Sequence, residues 1–251
     1  MNTARSVALT ALWITACFGL AFADAPSGAK AAQVSFTFDF PGSTPDHYFL
    51  TVDSSGQATY TSGKPPADAA LKPKSQANGG DESDSDSDAS PASDVYTYRF
   101  KLSDATRARI FDLAKRANYF KGDLDYGKGK LASTGAKTLT YTDGLHTTQA
   151  TYNYSNKAAV EELTRLFQGM GATLEFGRRL DYLHRYQKLA LDDELKRMEE
   201  MANTGQLDEL QSITPILKRI ADDSTVMNVS RARAERLLAK AGSAQFMSNK
   251  H

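Results

Sequence analysis

Two aspartates and two lysines lie close together in a glycine-rich stretch at residues 122–135. Asp123 and Asp125 could bring two carboxylates to one cation, and the glycines let the backbone approach a ligand closely. Lys128 and Lys130 add cationic groups that a phosphorylated ligand would use. The remaining acidic ligands of a calcium site are missing, so we predict no metal site. The four residues are candidate ligand-binding residues, and a structured turn is the alternative interpretation.

The acidic run at residues 81–88 resembles the start of a calcium loop because carboxylates alternate along it. An EF-hand loop beginning at Asp84 would need Gly at its sixth position and Glu at its twelfth. Those positions hold Ala89 and Val95. We therefore interpret the run as part of a disordered acidic insert, residues 63–94, which has too few large apolar residues for ordered packing.

Other catalytic and cofactor motifs are not found in the sequence. Residues 129–138 contain glycines and a lysine, but their spacing is one residue too long for a phosphate loop, and a strand is expected where phosphate binding needs a helix N-terminus. The histidines show no zinc spacing, and no serine lies in a Gly-x-Ser-x-Gly motif. We predict no cofactor and favour a noncatalytic protein.

The N-terminus has the pattern of a secretory signal peptide, residues 1–23. Arg5 precedes an apolar stretch, and a small-x-small motif ends at Ala23. The stretch is shorter than the roughly 20 apolar residues that span a bilayer, so we predict cleavage after Ala23 and a periplasmic or extracellular location. Residues 14–17 also resemble a lipoprotein signal. Lipidation of Cys17 would instead give a membrane-anchored lipoprotein.

The charge balance and the cysteine content exclude several classes of function. Thirty basic and thirty acidic residues cancel, so we expect no nucleic-acid partner, and we expect membrane association only if Cys17 is lipidated. Cys17 is the only cysteine, and cleavage after Ala23 would remove it. The mature chain would then have no disulfide, no thiolate metal site and no cysteine nucleophile.

After a linker at residues 24–33, residues 34–155 have the pattern of a sheet domain. Ser103 is placed to cap a helix that ends near Ala117. Asp143 and Gly144 predict the turn of a hairpin. Apolar and polar residues alternate with the period of half-buried strands at residues 34–40, 48–52, 58–61 and 96–102.

Helical periodicity begins at residue 156 and defines a helical extension, residues 156–242. We predict an interruption at Gly169 and Gly171, a long second helix, a restart at Pro215 and a final helix before a flexible tail at residues 243–251. The predicted fold class is therefore α+β: an antiparallel sheet with helices packed on one face, followed by an α-helical C-terminal extension.

The order of elements at residues 48–166 resembles a group of bacterial exported proteins that carry an α+β domain of unknown function. The resemblance rests on the turn at residues 55–56, the helix entered at Ser103, its exit at residues 118–120 and the hairpin at residues 143–144. It implies the same fold class, and it carries no functional residues across. The helical region after Gly171 lies outside it.

We expect a noncatalytic protein that binds a protein partner through its helical extension or its sheet face. No catalytic set is assembled by the sequence, whereas the amphipathic C-terminal region is long. One alternative is an enzyme, or a domain that binds a small ligand or cation, using residues 122–135. Another is a structural lipoprotein tethered to a membrane at Cys17.

Overall fold

The computed structural model describes residues 31–63, 95–126 and 132–248. In these ranges the chain forms one antiparallel sheet of six strands and five α-helices, which confirms the predicted α+β class. The predicted signal peptide with Cys17 and Ala23, and the predicted disordered insert beyond residue 63, lie outside the described residues. The strands are β1 (Gln33–Asp39), β2 (His47–Asp53), β3 (Gln57–Ser62), β4 (Tyr96–Lys101), β5 (Ala136–Thr142) and β6 (Thr147–Tyr152). The helices are α1 (Asp104–Arg116), α2 (Ala158–Tyr186), α3 (Leu191–Asn203), α4 (Thr214–Asp222) and α5 (Asn228–Ser248).

The sheet order β4-β3-β2-β1-β5-β6 places β4 and β6 at its two edges. Phe36 of β1 lies opposite Leu50 of β2 and Leu139 of β5, and all three side chains are fully buried. Since side chains alternate between the two faces of a strand, the intervening positions face the other way. These positions are rich in threonine, and the helices pack on the apolar face only.

Helices α1 and α2 cover the apolar face of the sheet. The Ser103 hydroxyl accepts a hydrogen bond from Thr106 N at 3.2 Å, which confirms the predicted cap of α1. Phe167 of α2 stacks on Phe36 with ring centroids 5.2 Å apart and an interplanar angle of 4°. The Glu209 carboxylate, from the segment between α3 and α4, accepts a hydrogen bond from Ser103 N at 3.1 Å. The helical extension is therefore bonded directly to the start of α1.

The predicted interruption at Gly169 and Gly171 is wrong, because α2 runs unbroken from Ala158 to Tyr186. Both glycines serve close packing instead. A Cβ atom at Gly171 would lie 3.1 Å from a ring carbon of Tyr48, and one at Gly169 would lie 2.2 Å from the Asp208 carboxylate. Glycine has a low intrinsic propensity for helix. The helix nevertheless continues through these two positions, because the absence of a side chain lets the sheet and a loop pack closely against it.

The predicted long second helix is also wrong in its boundaries. The break falls later, at residues 187–190, and α3 begins at Leu191. Pro215 lies in the first turn of α4, which confirms the predicted restart. α5 packs on α3 and α4 and continues past residue 242, where the tail was expected. Among the described residues, no helix is both long enough and apolar enough to cross a membrane.

Candidate functional site

A groove of about 800 Å³ lies between strand β4 and the helices α2 and α4. Its volume falls within the range of about 300–1,000 Å³ that is typical of ligand pockets. The walls combine aromatic and charged side chains, which can provide stacking surface and directional hydrogen bonds together. The residues that carry the following argument are Tyr96, Tyr98, Arg178, Asp181, Tyr182 and Tyr186, with Arg185, Lys218, Arg219 and Asp222 around them.

Two tyrosines of β4 form the sheet side of the groove. Tyr96 and Tyr98 lie on the helix-facing side of the strand, with ring centroids 6.4 Å apart and an interplanar angle of 9°. The Tyr98 hydroxyl donates to Ser212 O at 2.9 Å, which joins the strand to the segment before α4. Burial raises the pKa of Tyr96 to about 12, so its hydroxyl is a neutral hydrogen-bonding group at physiological pH.

A buried carboxylate holds Arg178 at the groove wall. The Tyr60 hydroxyl donates to Glu175 Oε1 at 2.8 Å, and Arg178 Nε donates to Glu175 Oε2 at 3.0 Å. Glu175 is only 2% exposed, so this pair lies in a poorly screened environment. The Arg178 guanidinium also lies 5.8 Å from the centroid of Tyr96. These contacts fix the guanidinium before any ligand arrives, which reduces the entropy lost on binding.

A second carboxylate in the groove contacts two arginines. Asp181 Oδ2 pairs with Arg185 at 2.7 Å, and Asp181 Oδ1 accepts a hydrogen bond from Arg219. Lys218 and Asp222 complete the charged lining. When the buried Glu175 is counted as the partner of Arg178, the groove keeps a small excess of positive charge. An anionic ligand group is therefore favoured over a cationic one.

The rim of the groove carries exposed aromatic side chains. Tyr182 is 53% exposed and Tyr186 is 70% exposed, and their ring centroids lie 5.1 Å apart on successive turns of α2. Leu189, just after α2, is 81% exposed. Tyrosine is enriched at protein interfaces because its ring offers a large contact area and its hydroxyl a polar group. The rim thus has the composition of a contact surface.

β4 is an edge strand of the sheet, and two of its side chains line the groove. Leu102 N donates to Gly56 O at 2.9 Å, which fixes the phase of the β3–β4 ladder. Because bonded pairs alternate along an antiparallel ladder, the backbone groups of Thr97, Arg99 and Lys101 point away from β3. Within residues 31–63, 95–126 and 132–248, no hydrogen bond reaches these groups. The side chains of the three residues are exposed.

The candidate residues of the glycine-rich stretch are only partly described. Asp123 Oδ1 accepts from Asp125 N at 2.9 Å, which forms a local turn. Asp125 Oδ1 accepts from Asn153 N at 2.9 Å and joins this turn to the end of β6. Lys128 and Lys130 lie outside the described residues. In the part of the chain that is described, no group of three or more His, Cys, Asp or Glu side chains could hold a metal ion.

Sequence reasoning missed the groove, although one signal was visible. Tyr182 and Tyr186 are four residues apart, and so are Asp181 and Arg185. Residues at this spacing lie on one face of a helix, so the sequence indicates a stripe of aromatic and charged side chains. The sequence does not show that this stripe faces Tyr96 of β4. The chain matches no protein-family model, and a search of curated proteins finds no significant match. The geometry of the groove therefore carries the functional argument.

Proposed function

We propose that the protein is an exported, noncatalytic binding protein that holds a partner in the groove between β4 and the helical extension. The observation that carries this proposal is the pairing of a fixed guanidinium, Arg178, with two exposed aromatic rings, Tyr182 and Tyr186. A fixed polar anchor gives orientation, and exposed aromatic side chains give contact area.

The chemistry of the groove favours binding over catalysis. Its described lining contains tyrosine, arginine, lysine and aspartate, together with Pro215 and Ile216, and neither histidine nor cysteine. Both carboxylate oxygens of Asp181 already have partners within the protein, because Arg185 pairs with one and Arg219 with the other.

Site-specific photo-crosslinking in the cell that makes the protein tests the binding site. A photoreactive phenylalanine analogue replaces Tyr186 in the full chain, and the matched control carries it at Leu145. Leu145 is 91% exposed in the β5–β6 hairpin, far along the sheet from β4. We expect a discrete crosslinked product from position 186 that disappears when Tyr182→Ala is added. Equal labelling from both positions would contradict the proposal.

Export itself is tested by the intact mass of the protein purified from its own cell envelope. Cleavage after Ala23 predicts an unmodified chain beginning at Asp24. Cleavage before Cys17 predicts a heavier, lipidated chain, in which case the groove would operate at a membrane surface. An intact mass that includes the initiating methionine would contradict both forms of export.

A further inference from the structure

We propose that the groove binds an acidic peptide in extended conformation, added as a further strand along β4. This inference rests on the proposed function, because it specifies what the groove between β4 and the helices binds. It follows from three observations: the outward backbone groups of β4 that no hydrogen bond reaches within the described residues, the groove lined by side chains of the same strand, and the distribution of charge around both.

The backbone edge supplies the main-chain contacts. Thr97, Arg99 and Lys101 present their N–H and C=O groups outward, and no hydrogen bond reaches them within the described ranges. Three such residues can pair with a peptide of about six residues, since every second residue of a strand faces its neighbour. Addition of a strand to an open edge is an established mode of peptide recognition.

The groove supplies room for the side chains of the added strand. Neighbouring strands lie about 4.8 Å apart, so a peptide beside β4 would extend the sheet over the space next to Tyr96 and Tyr98. Alternate side chains of the peptide would point to the helix side, between the β4 tyrosines and the α2 residues Arg178 and Tyr182. The helices would then form a back wall, as they do for the rest of the sheet.

The charges favour acidic side chains in the peptide. Arg99 and Lys101 lie on the open face of β4. On the groove side, the cationic side chains of the lining outnumber Asp181, Asp222 and the buried Glu175 by one. Opposite charges on neighbouring strands stabilise a sheet, and like charges destabilise it. The same cations disfavour pairing of β4 with β4 of a second copy, because Arg99 and Lys101 would meet their own equivalents.

Fluorescence polarisation with a defined probe tests this inference on the full chain. The probe is a fluorescein-labelled peptide of four Asp-Val repeats, in which one register directs every aspartate toward the groove. A control peptide of four Asn-Val repeats keeps the shape and removes the charge. We expect the control to bind at least about tenfold more weakly, because several favourable charge contacts are lost.

Two isomeric peptides separate strand addition from charge attraction alone. One is N-methylated at every valine and the other at every aspartate. In antiparallel addition, the peptide residues opposite Thr97, Arg99 and Lys101 make the main-chain hydrogen bonds, and their side chains lie on the open face of the sheet. Because the aspartates face the groove, these bonding residues are the valines. We expect methylation of the valines to weaken binding at least about tenfold and methylation of the aspartates to be tolerated. Parallel addition reverses the order and also supports strand pairing, whereas equal binding of the isomers overturns it.

A matched pair of protein variants tests the same edge from the other side. Thr97→Pro removes an outward N–H without removing a β3–β4 hydrogen bond, since proline is tolerated on that side of an edge strand. Thr97→Val keeps the N–H and removes only the hydroxyl. We expect about tenfold weaker binding for Thr97→Pro and unchanged binding for Thr97→Val, with circular dichroism showing that both are folded.

Further arms identify competing ligands. Residues 81–88 of the chain are acidic, as the probe is, and would compete with it for the groove. The titration is therefore repeated with a protein variant in which the Asp and Glu residues of this run are changed to Asn and Gln. Tighter binding of the probe to this variant supports the acidic preference of the groove. Equal displacement of the probe by an eight-nucleotide oligothymidylate would show that the groove reads anionic charge alone, which overturns the inference. A crosslink at position 186 without any difference between the methylated isomers leaves the proposed function standing and removes only strand addition.

Discussion

The two edges of the sheet differ in what lies beside them. Beyond β6, the chain between α1 and β5 bonds to the residues that follow the strand: Tyr126 N donates to Tyr154 O at 2.8 Å, and Asp125 accepts from Asn153 N. Beside β4, the outward backbone groups make no hydrogen bond within the described ranges, and the strand's side chains Tyr96 and Tyr98 line a groove. The outward backbone groups of both edge strands make no hydrogen bond within the described residues, so the difference lies in their surroundings: the end of β6 is bonded to another segment of the chain, and β4 borders a groove.

A buried lysine holds the chain together near the end of β6. Lys137 is 5% exposed, and its ammonium group donates to Thr134 O, Gly135 O and Asn153 O at 2.9–3.1 Å. Burial lowers the pKa of Lys137, while the nearby charge of Asp125 opposes that shift. The cation at this edge thus has only internal partners. On the β4 side, Lys218 and Arg99 are exposed.

The largest expected effect is at the β6 side, where Gly135 is confined by its neighbours. Its φ is +89°, and an added Cβ would lie 2.7 Å from Phe40 Cβ and 2.9 Å from a ring carbon of Phe38. We expect Gly135→Ala to lower the free energy of unfolding by about 3 kcal/mol, from the positive φ and overpacking together. Urea unfolding followed by circular dichroism measures the change.

Gly42→Ala is the matched control for this prediction. Gly42 has a φ of +88°, but no atom lies within 4 Å of the position of an added Cβ. The substitution should therefore cost only the backbone contribution, about 1–2 kcal/mol. Equal losses in the two variants would show that contact with Phe38 and Phe40 contributes nothing, and the β6 side would be less tightly closed than the geometry indicates.

An intermediate effect is expected from Tyr152 at high pH. Burial raises the pKa of Tyr152 to about 12, partly opposed by its hydrogen bond with Thr164. An unfolded tyrosine ionises near pH 10, so between about pH 10 and 12 the unfolded state loses the proton first and stability falls as pH rises. Tyr152→Phe should make that fall shallower by up to about 1.4 kcal/mol per pH unit.

The exposed Tyr186 provides the control for the pH experiment. Urea unfolding at several pH values compares Tyr152→Phe with Tyr186→Phe, which should leave the slope unchanged. Tyr48 and Tyr60, whose pKa values are also raised by burial, contribute the same background to both variants. If the two substitutions have the same effect on the slope, Tyr152 is not protected from solvent in the way the structure indicates.

The fold was largely predictable because its signals are local. Alternation in β1 to β4, the cap at Ser103, the turn at residues 143–144 and the restart at Pro215 each depend on residues close together in the sequence. The failures depend on distant contacts. Nothing near Gly171 shows that Tyr48 packs against it, and residues 187–190 contain neither glycine nor proline to mark the break between α2 and α3.

The candidate site was less predictable than the fold for the same reason. Its walls come from β4, α2 and α4, which are separated by long stretches of sequence. The periodicity of α2 places Tyr182 and Tyr186 on one face, but only the packed structure places Tyr96 opposite them. Glu175 illustrates the problem further, because a carboxylate in an amphipathic helix is normally expected on the surface, and here it is buried against Tyr60.

The smallest expected effect on stability is at the rim of the groove. We expect the double variant Tyr182→Ala, Tyr186→Ala to change the free energy of unfolding by no more than about 0.5 kcal/mol, because both side chains are more than half exposed. Urea unfolding measures the change. A loss above about 1 kcal/mol at the rim would mean that the two rings are needed to hold α2 in place, so they would not be free for a partner. A silent double variant, together with loss of the position-186 crosslink when Tyr182→Ala is added, would show that the rim exposes aromatic surface that binding needs and the fold does not.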